Sequence, residues 1–127
     1  MSADQQARPA DQQSRPADQQ SRPALPTTPV RVVVWYRAPS SDAAAVETAY
    51  HEVSRTLEGT PGLLSNELLR SATDKASFAV MSHWESGQAF DTWERGPSHQ
   101  ASTAPLVPYL DRAPDRRFEL YEVTAAY

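Results

Sequence analysis

Three consecutive heptapeptides open the chain, and their chemistry decides how much of it can fold. Residues 3–9, Ala-Asp-Gln-Gln-Ala-Arg-Pro, are followed by residues 10–16 and 17–23, which differ only in carrying Ser14 and Ser21 where the first has Ala7. A seven-residue period suits a coiled coil only if two positions per repeat are apolar, and here Ala is the sole apolar residue. Each repeat also ends in Pro, which removes a helix donor and pushes the Arg before it out of the helical region. So little apolar surface cannot offset the entropy of ordering the segment. Residues 1–28 are therefore expected to be a disordered tail, and the fold has to be built from residues 29–127. Within the repeats three Asp and three Arg cancel, so the formal charge of −4 belongs to the rest of the 127-residue chain.

That charge excludes a nucleic-acid footprint or a polybasic membrane patch. Cysteine is absent, which removes disulfides, thiolate nucleophiles and zinc–thiolate sites together. No apolar run approaches the ~20 residues of a membrane helix. The opening residues lack an apolar core of the signal-peptide kind, so a cytoplasmic protein is expected. His51, His83 and His99 share no metal-ligand spacing, and four glycines form neither a phosphate loop nor a nucleophile elbow.

From Val30 the composition changes. Residues 30–36 are β-branched and aromatic and predict a strand. After Pro39, Ser41 or Asp42 offers a helix N-cap, and Val46, Tyr50, Val53 and Leu57 form one stripe of an amphipathic helix. Gly59 suits a left-handed helix end, and Pro61-Gly62 a turn. Residues 63–71 and 76–84 predict two strands joined by a tight turn. Ser86 caps a second helix carrying Ala89, Phe90 and Trp93, which Gly96-Pro97 ends. Ser98 opens a further turn or short helix with His99, Pro105 and Pro108 impose irregular backbone, and residues 116–123 predict a last strand. Strand, helix, strand, strand, helix, strand is the ferredoxin-like βαββαβ pattern, an α+β fold with both helices on one face of an antiparallel sheet. Both faces of that sheet read as apolar: Val33 and Trp35 oppose Val32 and Val34, Met81 opposes Val80, and Tyr121 opposes Leu120. A wet apolar face forgoes several kcal/mol at about 25 cal/mol per Å², so a homodimer with sheets face to face is expected.

The run Val80-Met81-Ser82-His83-Trp84-Glu85-Ser86-Gly87-Gln88-Ala89-Phe90-Asp91-Thr92-Trp93 resembles the antibiotic biosynthesis monooxygenase (ABM) family, as do Pro61-Gly62-Leu63-Leu64-Ser65 and Tyr121-Glu122-Val123. The resemblance spans residues 30–124. It implies a dimeric α+β barrel with a pocket between sheet and helices. In the quinone-forming branch it implies oxygenation of an aromatic, polyketide-like metabolite by dioxygen, with no metal, flavin or haem. Trp84 matches the tryptophan that closes the third strand. The Asn of that branch four residues earlier is Val80 here, its pocket Tyr is Phe90, and its second-strand Tyr-His pair is Leu68-Leu69. The haem-degrading branch shares Gln88-Ala89-Phe90 and Trp93, but its iron-ligating His falls on Thr103 and its first-strand Asn near Tyr36, so no haem is expected.

Candidate substrate-binding residues are Trp84, Trp93, Phe90, Tyr36, Val80 and Leu68, for stacking and apolar contact. Core packing is the competing reading for Trp84, Phe90 and Trp93, the last two of which sit at helical i, i+3 spacing. Candidate catalytic residues are His99, a base with near-neutral pKa beside the pocket mouth, and Asn66, a polar side chain of the same parity as Leu64 and Leu68. His83 is expected at the dimer face and His51 in solvent. The leading expectation is a cofactor-independent monooxygenase. The alternatives are a cyclase or isomerase on the same scaffold, and a non-catalytic binding or accessory protein of a biosynthetic assembly.

Overall fold

A computed structural model describes residues 25–127. The three heptapeptides lie outside the described residues. Residues 25–28, assigned by composition to the tail, are described, and the contacts of the folded unit reach back to Pro26. Its carbonyl accepts the Gly87 N–H at 2.9 Å, and its ring stands where a side chain at position 87 would need to be.

Among the described residues four strands and three helices follow in the expected order. They are β1 (Val30–Arg37), α1 (Ala45–Leu57), β2 (Leu63–Arg70), β3 (Ser77–Trp84), α2 (Gly87–Arg95), α3 (His99–Thr103) and β4 (Glu119–Glu122), with a 3-10 helix at Ala104–Tyr109. The sheet runs β2-β3-β1-β4 and every pairing is antiparallel. This is the ferredoxin-like α+β fold. The β-branched run puts β1 at the centre, paired along its length to β3 and at its first half to β4.

Local chemistry accounts for most boundaries. Ser86 caps α2 by accepting the Ala89 N–H at 3.1 Å, and Gly59 and Gly62 take φ of +82° and +84° at the turns after α1. Three expectations change. Asp42 does not cap α1: its carboxylate accepts the Ala44 N–H in a turn one residue before the helix. Pro105 and Pro108 are not irregular, because a proline φ near −65° suits a 3-10 helix and Pro105 lies at its start, where the missing N–H has no partner to lose. The last strand is shorter than residues 116–123: residues 113–117 form bends, and the strand covers only Glu119–Glu122.

The helix side holds two adjoining cores. Val46, Ala49 and Val53 of α1 pack on Tyr36, Phe78 and Leu106. Val30, Val32 and Trp84 of the sheet pack on Phe90 of α2. The opposite face carries Val33, Trp35, Ala79, Met81, Leu69 and Tyr121, the last two being 41% and 52% exposed. A β-bulge between Leu63 and Ser65 interrupts the β2–β3 register. It makes Leu64 the extra residue and turns it outward, 62% exposed, so Leu64 does not share the face of Asn66 and Leu68. Leu63 takes that side instead.

Candidate active site

Between the helix side of the sheet and α1, α2 and α3 lies a cavity of about 920 Å³. Its floor is the alternate residues of β1 and β3 that point at the helices, Val32, Val34, Tyr36, Val80, Ser82 and Trp84. One end is aromatic. The ring centroids of Trp84 and Phe90 are 5.6 Å apart, Trp84 and Trp93 5.4 Å, and Phe90 and Phe118 5.2 Å. The helical spacing of Phe90 and Trp93 puts both on the face of α2 that meets the strand end. Trp84 is 1% exposed, so it is wall and core at once.

Of the residues singled out by sequence, Trp84, Trp93, Phe90, Tyr36, Val80, Asn66 and His99 all line this cavity. Leu68 does not: it packs against the core under α1 and the 3-10 helix. His83 lies on the opposite face, with Nε2 3.6 Å from a Glu67 carboxylate oxygen, and His51 is exposed on α1.

His99 opens α3 after the Gly96-Pro97 stop and sets its ring edge-on to Trp93, centroids 4.5 Å apart. Burial against that ring holds its imidazole below the usual 6.5; the Glu94 carboxylate opposes the shift and the Arg117 guanidinium adds to it. Near pH 7 the ring is therefore neutral, and one nitrogen is free to accept a proton. Glu94 and Arg117 are themselves joined at 2.6 Å, tying the 111–117 loop to α2 at the cavity rim. The Tyr36 hydroxyl is pushed up to about 12 by burial, so it stays protonated and donates.

Asn66 is held from α1. Its Oδ1 accepts from the Tyr50 hydroxyl at 2.6 Å and from Ser54 at 3.3 Å. With its oxygen engaged, the amide NH₂ is what Asn66 offers to the cavity. Sequence reasoning missed Ser82, whose Oγ accepts the Trp84 indole N–H at 2.8 Å. It also missed the charged rim of residues 111–117. Parity along β3 places Ser82 beside Trp84 and Val80, and that was the available signal.

Residues 29–104 match the sequence pattern of the antibiotic biosynthesis monooxygenase family. The chain belongs to the ABM family. Protein SchA of Streptomyces halstedii is 29% identical over 96 residues, which are 76% of this chain and 25% of SchA, so the chain spans a quarter of that relative's length. A mycobilin-producing haem oxygenase of Mycobacterium tuberculosis is 30% identical over 70 residues, 55% of this chain and 67% of the relative. The crystal structure of SnoaB, a cofactor-independent oxygenase from Streptomyces nogalater, superposes with a TM-score of 0.62 at 18% identity, covering 79% of this chain and 95% of SnoaB. The similar proteins thus include a haem oxygenase by sequence and a cofactor-independent oxygenase by fold.

The haem-degrading kind needs an axial iron ligand. At the position where the resemblance puts that histidine, this ABM chain has Thr103, whose hydroxyl donates to the His99 carbonyl at 3.0 Å. A neutral threonine hydroxyl is not among the side chains that hold haem iron, which are His, Cys, Met and Tyr. Among the described residues no three His, Cys, Asp or Glu side chains cluster to hold a metal ion, and no helix is long and apolar enough to cross a membrane.

Proposed function

We propose that this ABM protein is a cofactor-independent monooxygenase that converts an activated carbon of an aromatic, polyketide-like metabolite to a carbonyl. The observation that carries the reading is an aromatic-walled cavity with the His99 imidazole set edge-on to Trp93 in its lining. Trp93 gives a polycyclic ring system a surface to stack on, backed by the buried rings of Trp84 and Phe90. Tyr36 and Asn66 supply hydrogen bonds to its oxygens.

His99 removes a proton from an acidic ring CH₂ flanked by hydroxylated rings, and the charge spreads into an enolate. The carbanion form gives one electron to dioxygen, and the resulting radical and superoxide combine into a carbon–oxygen bond. The peroxide anion takes back the proton from His99. Loss of water then leaves the carbonyl. The sum is CH₂ + O₂ → C=O + H₂O, in which the substrate supplies all four electrons and no external reductant is needed. The protein's share is to exclude water and to favour the anion.

The test is an anthrone-type substrate incubated in air and under nitrogen, with neither metal nor flavin added, using ¹⁸O₂ to trace the new carbonyl. Oxygen-dependent incorporation of one labelled atom supports the reading. Turnover that continues under nitrogen replaces it with a cyclase or isomerase, and binding without conversion replaces it with a binding or accessory protein.

The same reading includes a homodimer. The outer sheet face, where Trp35, Met81 and Tyr121 stand among Arg31, Glu67, His83 and Glu119, is to be covered by the same face of a second copy. A solution mass of two chains is expected, and Met81→Glu should reduce it to one. A wild-type mass of one chain refutes the dimer.

A further inference from the structure

We infer that Asn66 and Ser82 together form a two-donor cradle for an anionic oxygen of the ligand, which narrows the ligand class to aromatics bearing a phenolate or enolate. The inference rests on the cavity reading above and adds residues and a polarity to it. Asn66 of β2 and Ser82 of β3 are direct cross-strand partners, and both line the cavity floor. Such partners have Cβ atoms about 4.5–5.5 Å apart, close enough for two side chains to reach one oxygen atom.

What makes the pair a donor site is which of its hydrogens stay free. An indole N–H only donates, so the 2.8 Å contact from Trp84 Nε1 makes Ser82 Oγ the acceptor. The Ser82 proton has no acceptor among the described residues and is free for the cavity. On Asn66, the Tyr50 contact at 2.6 Å has the length of an O–H···O bond, shorter than the usual 2.9–3.0 Å of N–H···O. That fixes Oδ1 toward α1, where Ser54 also donates to it. Nδ2 is left as the free corner, and an amide nitrogen donates only.

Two neighbouring groups thus present hydrogen, while both lone pairs of Asn66 Oδ1 and one of the two on Ser82 Oγ are held by other side chains. A ligand hydroxyl that donated here would find one remaining lone pair, on Ser82, whereas a negative oxygen gains two charge-assisted bonds. Tyr50 and Ser54 are positioning residues: they touch no ligand and act by locking the amide. Trp84 acts on Ser82 in the same way.

The probes are 2-hydroxyanthraquinone, whose phenol and phenolate absorb at different wavelengths, and its methyl ether, which cannot ionise. Bound to the full chain, the hydroxyl probe should ionise at least one pH unit below the free compound. Ser82→Ala and Asn66→Leu should each lose about tenfold in phenolate affinity, in line with hydrogen bonds to a charged group, with affinity for the ether changed less than about twofold. Ser82→Thr, which keeps the hydroxyl on a strand-compatible side chain, should restore the wild-type value. Tyr50→Phe should give a partial loss confined to the phenolate. The ether readings also show whether each variant keeps its folded cavity. A bound probe that ionises no more easily than the free one, variants that leave its midpoint unmoved, or binding of neither probe would overturn the cradle. Phenolate stabilisation without oxygen-dependent turnover leaves the cradle standing and removes the monooxygenase reading alone.

Discussion

Replacing Gly62 by Ala, set beside the same change at Gly59, measures how firmly the start of β2 holds the aromatic wall. Both residues have positive φ, +82° at Gly59 and +84° at Gly62. An L-residue in that conformation loses about 1–2 kcal/mol, and roughly 0.4–1 kcal/mol returns because Ala has less unfolded-state freedom than Gly. At Gly59 an added Cβ meets nothing within 4 Å, so the net loss is about 1 kcal/mol. At Gly62 the new methyl overlaps the Ala89 side chain on α2. Overpacking of this kind adds about 1–3 kcal/mol, for a total of about 2–4 kcal/mol. In a domain of this size each kcal/mol moves Tm by about 4–8 °C. Thermal unfolding followed by far-UV circular dichroism should therefore show Gly59→Ala about 5 °C below wild type and Gly62→Ala about 10–20 °C below it. The Gly62 carbonyl also accepts the Glu85 N–H at 2.8 Å. A shift there is passed to the Ser86 cap and to the helix carrying Phe90 and Trp93, so ligand affinity should fall in Gly62→Ala alone. Equal Tm values for the two variants would refute the reasoning, for they would mean that α2 yields to the methyl without loss.

Three further outcomes follow from the site. His99 has a folded pKa below its usual 6.5, so between that folded value and 6.5 the unfolded chain binds more protons. Stability then declines as pH drops through this window and levels off beneath it; His99→Gln should flatten that limb, and NMR titration of the imidazole should place its midpoint below 6.5. The acid limb of kcat/KM should follow the same midpoint, and one above 6.5 would exclude His99 as the base. Phe90→Ala, which empties a position packed on Trp84 and Phe118, should lose about 3 kcal/mol in urea unfolding; a loss under about 1 kcal/mol would show the wall to be loosely packed. Titration with haemin should give no Soret band of a histidine-ligated iron, and such a band abolished by His99→Ala would return the haem reading.

The sequence by itself determined the elements and the side each presents. A β-branched strand, a 4-3-4 apolar stripe, a serine cap and two turn glycines are local chemistry, and each has its counterpart in β1, α1, α2 and the Gly59 and Gly62 turns. Parity then placed Trp84 and Val80 toward the helices and His83 away from them, because side chains alternate strictly along an unbroken strand.

Only the tertiary structure decided where that alternation fails and which distant groups meet. A single extra residue in β2 turned Leu64 outward while Asn66 kept its inward place, and nothing in the apolar pattern marks a bulge. Leu68 had the parity of a pocket residue, yet its depth along the strand put it under the first core. Asn66 became a donor because Tyr50 and Ser54, more than ten residues earlier on another element, occupy its oxygen. Ser82 became one because its neighbour's indole donates to its oxygen and leaves its proton free. Periodicity records which face a residue takes. The hydrogen-bonding character of a polar side chain is set by partners that only folding brings within reach.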